Sequence, residues 1–255
     1  MSATNIKSAL VTGAGRRIGR HIALALAARG WDVAVHYRDS AADALALVTQ
    51  IEALGRRTCA LRCDLSDEAA VRQLLPQACA QLGPIRCVVN NAARFDYDDA
   101  ASFSIAQLDA HMHANLAAPI LLAQALHAAT PDGAQSVVIN LLDQKLFNLN
   151  PDYLSYTLSK AALHSATRML AQALAPRVRV VGLAPGITLP SGPQSTTAFA
   201  NAHRVTPLGQ SSTADDIASA VCFLAEAPAI TGSTLVVDGG QHLIPLPRDV
   251  MFVAQ

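Results

Sequence analysis

Aromatic residues are scarce in this chain: one Trp, four Tyr and six Phe make up 4% of its 255 residues. Charge is scarce as well, 15% of residues against ~25% in an average globular domain. Nineteen basic side chains face nineteen acidic ones, so the formal charge is zero and the pI is about 7.1. Without a basic excess the chain lacks the electrostatic footprint of a nucleic-acid or membrane-surface protein. The five cysteines, Cys59, Cys63, Cys79, Cys87 and Cys222, are odd in number and follow no disulfide-scaffold spacing. Met1–Lys7 is polar and Ser8–Thr12 is short, which does not read as a signal peptide. The longest mostly apolar stretch, Leu116–Ala129, is interrupted by Pro119, Gln124 and His127 and falls short of the ~20 residues a membrane helix needs. A reduced, cytoplasmic location is therefore expected. No metal site is expected either. His111 and His113 point to different sides of a helix, and Cys59 and Cys63 sit about 13 Å apart on one strand. Apolar residues, by contrast, reach 51%. That excludes disorder and suggests surface buried against other subunits.

Short apolar runs alternate with helical-period segments along the whole chain. Strands are expected at Ser8–Thr12, Asp32–His36, Arg57–Cys63, Ile85–Val89, Ser136–Asn140, Arg177–Leu183 and Thr234–Val237. Helices are expected at Ile18–Arg29, Ala41–Leu54, Glu68–Leu82, Ile105–Ala129, Tyr153–Ala175 and Ala214–Ala227, the first three each followed by a capping glycine. Continuous apolar runs such as Val137-Val138-Ile139 suit strands covered on both faces, as in a parallel sheet. The pattern predicts one α/β domain over 1–255, a Rossmann-type doubly wound fold with a seven-stranded parallel sheet. Ligands of such sheets bind at the carboxyl ends of the strands. The Ser-, Thr-, Gly- and Pro-rich stretch 187–203, which follows one of these ends, reads as a substrate lid.

The first strand runs into Thr12-Gly13-Ala14-Gly15-Arg16-Arg17-Ile18-Gly19 and then a helix. Glycines at such a turn let the backbone approach a pyrophosphate, which rests on the helix amide ends. The second strand ends in His36-Tyr37-Arg38-Asp39-Ser40. No carboxylate occupies its last position, where an NAD site places one for the ribose 2′-hydroxyl. His36, Arg38 and Ser40 are phosphate donors, and Arg16 adds a second cation, so a 2′-phosphate and NADPH are favoured. Asp39 is able to turn inward toward a 2′-hydroxyl, which would favour NADH instead.

Tyr156 and Lys160 lie four residues apart on one helix face. A nearby ammonium favours phenolate and is expected to lower the Tyr156 pKa into a range useful for proton transfer. Together with Asp64-Leu65, Asn90-Asn91-Ala92, Asn115, Pro185-Gly186 and Asp238-Gly239-Gly240, these motifs make the whole chain resemble the short-chain dehydrogenase/reductase family. The resemblance implies a reductase in which Tyr156 supplies a proton and Lys160 holds the nicotinamide ribose. It also implies that Asn115 maintains a water path to Lys160, that Asp64 accepts from the adenine amine, and that Leu141 and Ile187 join the cofactor site. Helices like Leu116–Ala129 and Tyr153–Ala175 would pack across two-fold axes in a homotetramer.

Two departures from the common family pattern are informative. Arg17 replaces a glycine, and Asp143, thirteen residues before Tyr156, replaces a serine. A carboxylate beside a developing alkoxide would repel it unless protonated. It suits a substrate whose ring nitrogens gain protons or whose amino-pyrimidine edge donates hydrogen bonds. Arg17, the His36–Ser40 turn, Phe95, Asp143 and Tyr153 further resemble the pteridine reductases, with Ala93 standing where those enzymes carry a serine. That likeness implies a pterin between Phe95 and the nicotinamide, contacting Arg17, Asp143, Tyr153 and Tyr156. A place for Lys145 does not follow from it. The expected activity is NADPH-dependent reduction of a dihydropteridine of the dihydrobiopterin, dihydromonapterin or dihydrofolate type. The alternatives are reduction of an ordinary ketone or keto-acyl substrate and, against the intact Tyr156 and Lys160, a non-enzymatic dinucleotide sensor.

Overall fold

Alternate residues of the central strands feed two separate cores. Ala9, Val11, Val33, Val35, Val89 and Ile139 point to one side, where they meet Ile22, Leu26, Leu47 and Val221. Leu10, Ala34, Val88, Val138 and Val180 point to the other, against Leu74, Leu75, Leu122 and Leu126. A strand covered on both faces has no polar face to spare, which accounts for the unbroken apolar runs. The computed structural model describes residues 7–190, 196–204 and 206–253.

The strands are β1 (Ser8–Val11), β2 (Asp32–Tyr37), β3 (Thr58–Arg62), β4 (Cys87–Asn90), β5 (Ser136–Leu141), β6 (Val178–Pro185) and β7 (Thr234–Val237). They form one sheet in the order β3-β2-β1-β4-β5-β6-β7, and every pairing is parallel. This is the doubly wound, seven-stranded domain expected from the periodicity. Helices α1 (Arg17–Ala28), α2 (Ala41–Ala53) and α8 (Ala214–Glu226) cover the first core. The second lies under α3 (Glu68–Leu82), α5 (Ala118–Ala129) and α6 (Leu154–Ala173). The order reverses between β1 and β4, so their carboxyl ends open a crevice between the Gly13 loop and the Asn91 loop. Among the described residues no helix is long and apolar enough to cross a membrane.

Three local departures from the expected elements have physical causes. The helix expected over 105–129 is divided into α4 (Ile105–Met112), a π turn (His113–Ala117) and α5. Pro119 has no N–H to offer the carbonyl of Asn115 four residues back, so the hydrogen-bond ladder shifts by one residue there. The helix expected from Tyr153 begins at Leu154, because Tyr153 sits at φ 54° in the left-handed region. The segment 187–203 is divided: 191–195 lie outside the described residues, and Thr196–Arg204 form helix α7.

Arg179 shows how α8 is held to the sheet. It is 6% exposed on β6 and has no carboxylate partner among its hydrogen bonds. Its guanidinium donates to the carbonyls of Leu224 (3.1 Å), Ala225 (3.2 Å) and Ile230 (2.9 Å), satisfying the carboxyl end of the helix. Burial pulls its pKa down, yet the surrounding carbonyls replace the water it gave up. Arg179→Met removes all of these donors from a buried place and is expected to destabilise the fold by about 3 kcal/mol. Urea unfolding at pH 7 measures this; an unchanged midpoint would show that α8 is held by its apolar contacts alone.

Candidate active site

Two adjoining cavities occupy the crevice, sharing Ala93 and Phe95 in their walls. The first, of about 540 Å³, is lined by Gly13, Arg16, His36, Arg38, Ser40, Asp64, Leu65 and Ala92. Its floor is drawn tight. Gly13 takes φ +62°, and a Cβ on Gly19 would stand 2.3 Å from the Gly13 carbonyl oxygen. Asn91 Nδ2 donates to the carbonyls of Thr12 (2.8 Å) and Gly13 (3.2 Å), tying the β4 loop to the glycine loop. The first-turn amides of α1 have no intrahelical acceptor and are open to an anion. Arg38 and Asp39 pair at 2.6 Å and Arg16 and Asp43 at 2.5 Å, all on exposed side chains that a phosphate can engage in place of the acid. Asp64 Oδ1 accepts from both the N–H and the hydroxyl of Ser66, which holds its carboxyl below the usual range.

Two residues expected at this end do other work. His36 is 2% exposed, and both ring nitrogens are committed: Nδ1 accepts from the Gly13 N–H (2.9 Å) and Nε2 donates to the Cys63 carbonyl (3.0 Å). It braces the glycine loop against β3 and is not a phosphate donor. Tyr37 packs its ring on the α1/α2 core rather than lining the cavity.

The second cavity, of about 380 Å³, brings Asp143, Tyr156 and Lys160 together. Arg17, Ile18, Asn91, Phe95, Leu141, Asp143, Gln144, Lys145, Tyr156, Lys160, Pro185, Gly186 and Ile187 line it, together with Asp249 and Met251. The Tyr156 hydroxyl donates to Asp143 Oδ2 at 2.9 Å, while Asp143 Oδ1 accepts from the Lys145 N–H at 2.8 Å. Lys160 Nζ donates to the Leu141 carbonyl at 2.7 Å and lies 5.8 Å from the centre of the Tyr156 ring. Asn115, in the π turn, donates to Ser159 Oγ (2.9 Å) and exchanges hydrogen bonds with the Arg94 backbone. It thereby locks the β4 loop to the helix that carries Tyr156. Phe95 meets the Tyr156 ring edge-on at 4.6 Å. Tyr153, expected at the substrate, is buried and stacks on Phe95 at 4.3 Å, so it supports that ring. Arg17 takes φ 52° where a glycine is cheaper by about 1 kcal/mol, and its guanidinium donates to the Pro190 carbonyl at 2.9 Å.

Desolvation dominates the electrostatics of this chamber. Burial raises the Asp143 pKa, against the Lys145 N–H and the Tyr156 hydroxyl, which favour its ionised form. Burial and the neighbouring Asp143 push Tyr156 well above its usual value, the reverse of the lowering expected from Lys160. Lys160 itself is brought down to about 8 by burial. Sequence reasoning left Lys145 unplaced and missed Asp249, Met251 and Gln144. The Gln144 Oε1 is buried without a partner in the same cavity. Asp249 comes from the far end of the chain, and no local pattern signals such a contact. Among the described residues no group of three or more His, Cys, Asp or Glu is placed to hold a metal.

Comparison with known proteins agrees with this geometry. The family model described as Enoyl-(Acyl carrier protein) reductase matches residues 13–242. FolM alternative dihydrofolate reductase 1 from Brucella canis, crystallised with NADP, is 39% identical and superposes with a TM-score of 0.88, over 93% of this chain and 95% of that one. A short chain dehydrogenase from Burkholderia cenocepacia, also crystallised with NADP, is 35% identical, with a TM-score of 0.85 over 92% of this chain and 97% of that one. The 3-oxoacyl-[acyl-carrier-protein] reductase FabG of Staphylococcus aureus is 32% identical over 245 residues, 93% of this chain and 98% of that protein.

The brace formed by His36 makes stability depend on pH. Burial lowers its pKa from 6.5 to about 4. Between those values the unfolded chain binds the extra proton, so the contribution is complete above pH 6.5 and is lost as pH falls toward 4. The loss is about 3 kcal/mol. Urea unfolding of wild type and His36→Asn at pH 7 and pH 4.5 isolates it. The wild type is expected to lose more stability than the variant on acidification, and parallel losses would refute the brace.

Proposed function

Because the chain belongs to the short-chain dehydrogenase/reductase family, we propose that it uses NADPH to reduce a dihydropteridine, of the dihydrobiopterin, dihydromonapterin or dihydrofolate type, to the tetrahydro form. The observation that carries this reading is the 2.9 Å hydrogen bond between Tyr156 and Asp143 in a chamber walled by Phe95. The cradle fits the cofactor. Gly13 and Gly19 leave no room for side chains beneath a pyrophosphate, and Arg16, Arg38 and Ser40 face the cavity where a 2′-phosphate would be held. NADPH supplies the hydride. The protein supplies the proton and the shape.

Burial pulls Asp143 toward its neutral form, with Oδ1 fixed by the Lys145 N–H and Oδ2 bonded to Tyr156. A neutral carboxyl beside a phenol delivers a proton to a ring nitrogen without placing a negative charge beside it. Lys160, near 8, exchanges protons close to neutral pH and stabilises the phenolate side of the pair. Phe95, 41% exposed and backed by Tyr153, offers an aromatic face to a flat heterocycle. The unpartnered Gln144 Oε1 suits an amino or ring N–H donor. The likeness to the Brucella FolM structure supports the same reading. A homotetramer is part of the proposal, in which assembly would cover exposed apolar side chains such as Met169 of α6 and Phe223 of α8.

The likeness to FabG favours a second reading, reduction of a ketone or keto-acyl substrate with Asp143 protonated. NADPH oxidation with a dihydropterin panel beside a ketone panel separates the two. Turnover of dihydropterins is expected, and brisk turnover of simple ketones alone would overturn the pteridine assignment. Asp143→Ser is expected to slow pterin reduction by about a hundredfold or more while NADPH affinity holds. The wild-type rate is expected to fall as pH rises through the raised Asp143 value, and that limb to vanish in the variant. A parallel collapse of NADPH binding would refute the role given to Asp143. Arg38→Ala is expected to weaken NADPH binding far more than NADH binding in a fluorescence titration; equal losses would show that Arg38 does not read the 2′-phosphate.

A further inference from the structure

Lys145 is out of keeping with its surroundings. The residue is 3% exposed, it stands two residues from the half-buried Asp143, and its own N–H bonds to Asp143 Oδ1. A buried ammonium so close to a half-buried carboxyl would ordinarily close an ion pair with it. Here it does not. Nζ donates to the Asp152 carbonyl at 2.5 Å and to Asp249 Oδ2 at 3.2 Å, and lies 5.4 Å from the centre of the Tyr153 ring.

Asp249 reaches this place on a clamped C-terminal segment. The Arg248 guanidinium forks onto the Asp152 carboxylate at 2.7–3.0 Å, and the Asp249 N–H donates to Asp152 Oδ2 at 2.7 Å. The four-residue helix α9 (Val250–Val253) follows, with Met251 N–H donating to Asp249 Oδ1 and Phe252 against Tyr97 and Tyr153. The Asp249 carboxylate is thus held at both oxygens and at its own N–H.

Resting on the proton-delivery reading above, we propose that Asp249 is a positioning residue that draws Lys145 away from Asp143, so that the Asp143 carboxyl stays committed to Tyr156. Five groups face Asp143: Tyr156 and Lys160 from α6, Lys145 from the turn after β5, Asp249 from the C-terminal segment, and Arg17 from α1 across the chamber. With Asp249 in place, its negative charge adds to burial in favouring the neutral carboxyl. Without it, the Lys145 ammonium keeps the Asp152 carbonyl but loses its ion pair, and its charge acts on Asp143 unopposed. Asp143 then ionises more readily and delivers a proton over a lower pH range.

Rate–pH profiles of the NADPH-saturated enzyme test this, recorded on whichever substrate it turns over, dihydropterin or ketone, so that a failed pteridine assignment leaves the test standing. Asp249→Asn is expected to move the falling basic limb down by about one unit or more, a roughly tenfold loss of kcat at pH values above the wild-type limb. Lys145→Met is expected to move the limb up, and the double variant to return toward wild type. A pair that is merely structural lowers Tm in both variants and leaves the limb where it was. That result, or shifts in the same direction, or a wild-type profile with no basic limb, overturns the proposal. Should Asp249→Asn fail to fold, Lys145→Met decides alone: an upward shift supports the proposal, and no shift or a downward one overturns it.

Discussion

One hydrogen bond inside the second cavity organises this molecule: the Tyr156 hydroxyl on Asp143 Oδ2. Exposed to solvent, a carboxyl and a phenol with ordinary pKa values would be charged and neutral at pH 7 and of little use to each other. Burial moves both upward, and the fold is arranged to keep them buried and adjacent. The end of β5 fixes Asp143, and α6 fixes Tyr156 and Lys160. The π turn fixes α6 through Asn115 and Ser159. The ties of Tyr156 and Lys160 run from the end of β5 to α6, and Asn115 joins the β4 loop to the same helix.

The two cavities divide the chemistry. One has arginines and serine in its wall and a braced glycine loop at its floor, suited to an extended anion. The other is a chamber of acids, amide and aromatic faces, suited to a flat polar ring. Phe95 stands in both walls, and Tyr153, in a left-handed conformation at the mouth of α6, backs it. A residue held in that conformation stores about 1–3 kcal/mol. The stacked ring is where this chain spends it.

The sheet was legible because its inner strands are buried on both faces, which leaves a signal in runs of Val and Ile such as Val137-Val138-Ile139. The glycine loop, Tyr156, Lys160 and Asp143 were legible through their order and spacing. His36 was misread because its type permits phosphate donation, whereas the register of β2 on β3 sets both nitrogens against backbone. The direction of the Tyr156 shift was misread because Lys160 is visible in the sequence and the extent of desolvation is not. The break before α5 was written in Pro119 all along. Asp249 and Lys145 are separated by 104 positions, and their meeting depends on how the chain's last turn folds back, which no spacing records.

The placement of Asp249 has a consequence for how the protein comes to be. Strand β7 ends at Val237, so on the ribosome the whole sheet has been synthesised before Arg248 and Asp249 are added. Until they dock, Lys145 lacks the Asp249 carboxylate to which it donates in the folded protein. The Arg248–Asp152 clamp, rather than the sheet, is thus what brings Asp249 to Lys145.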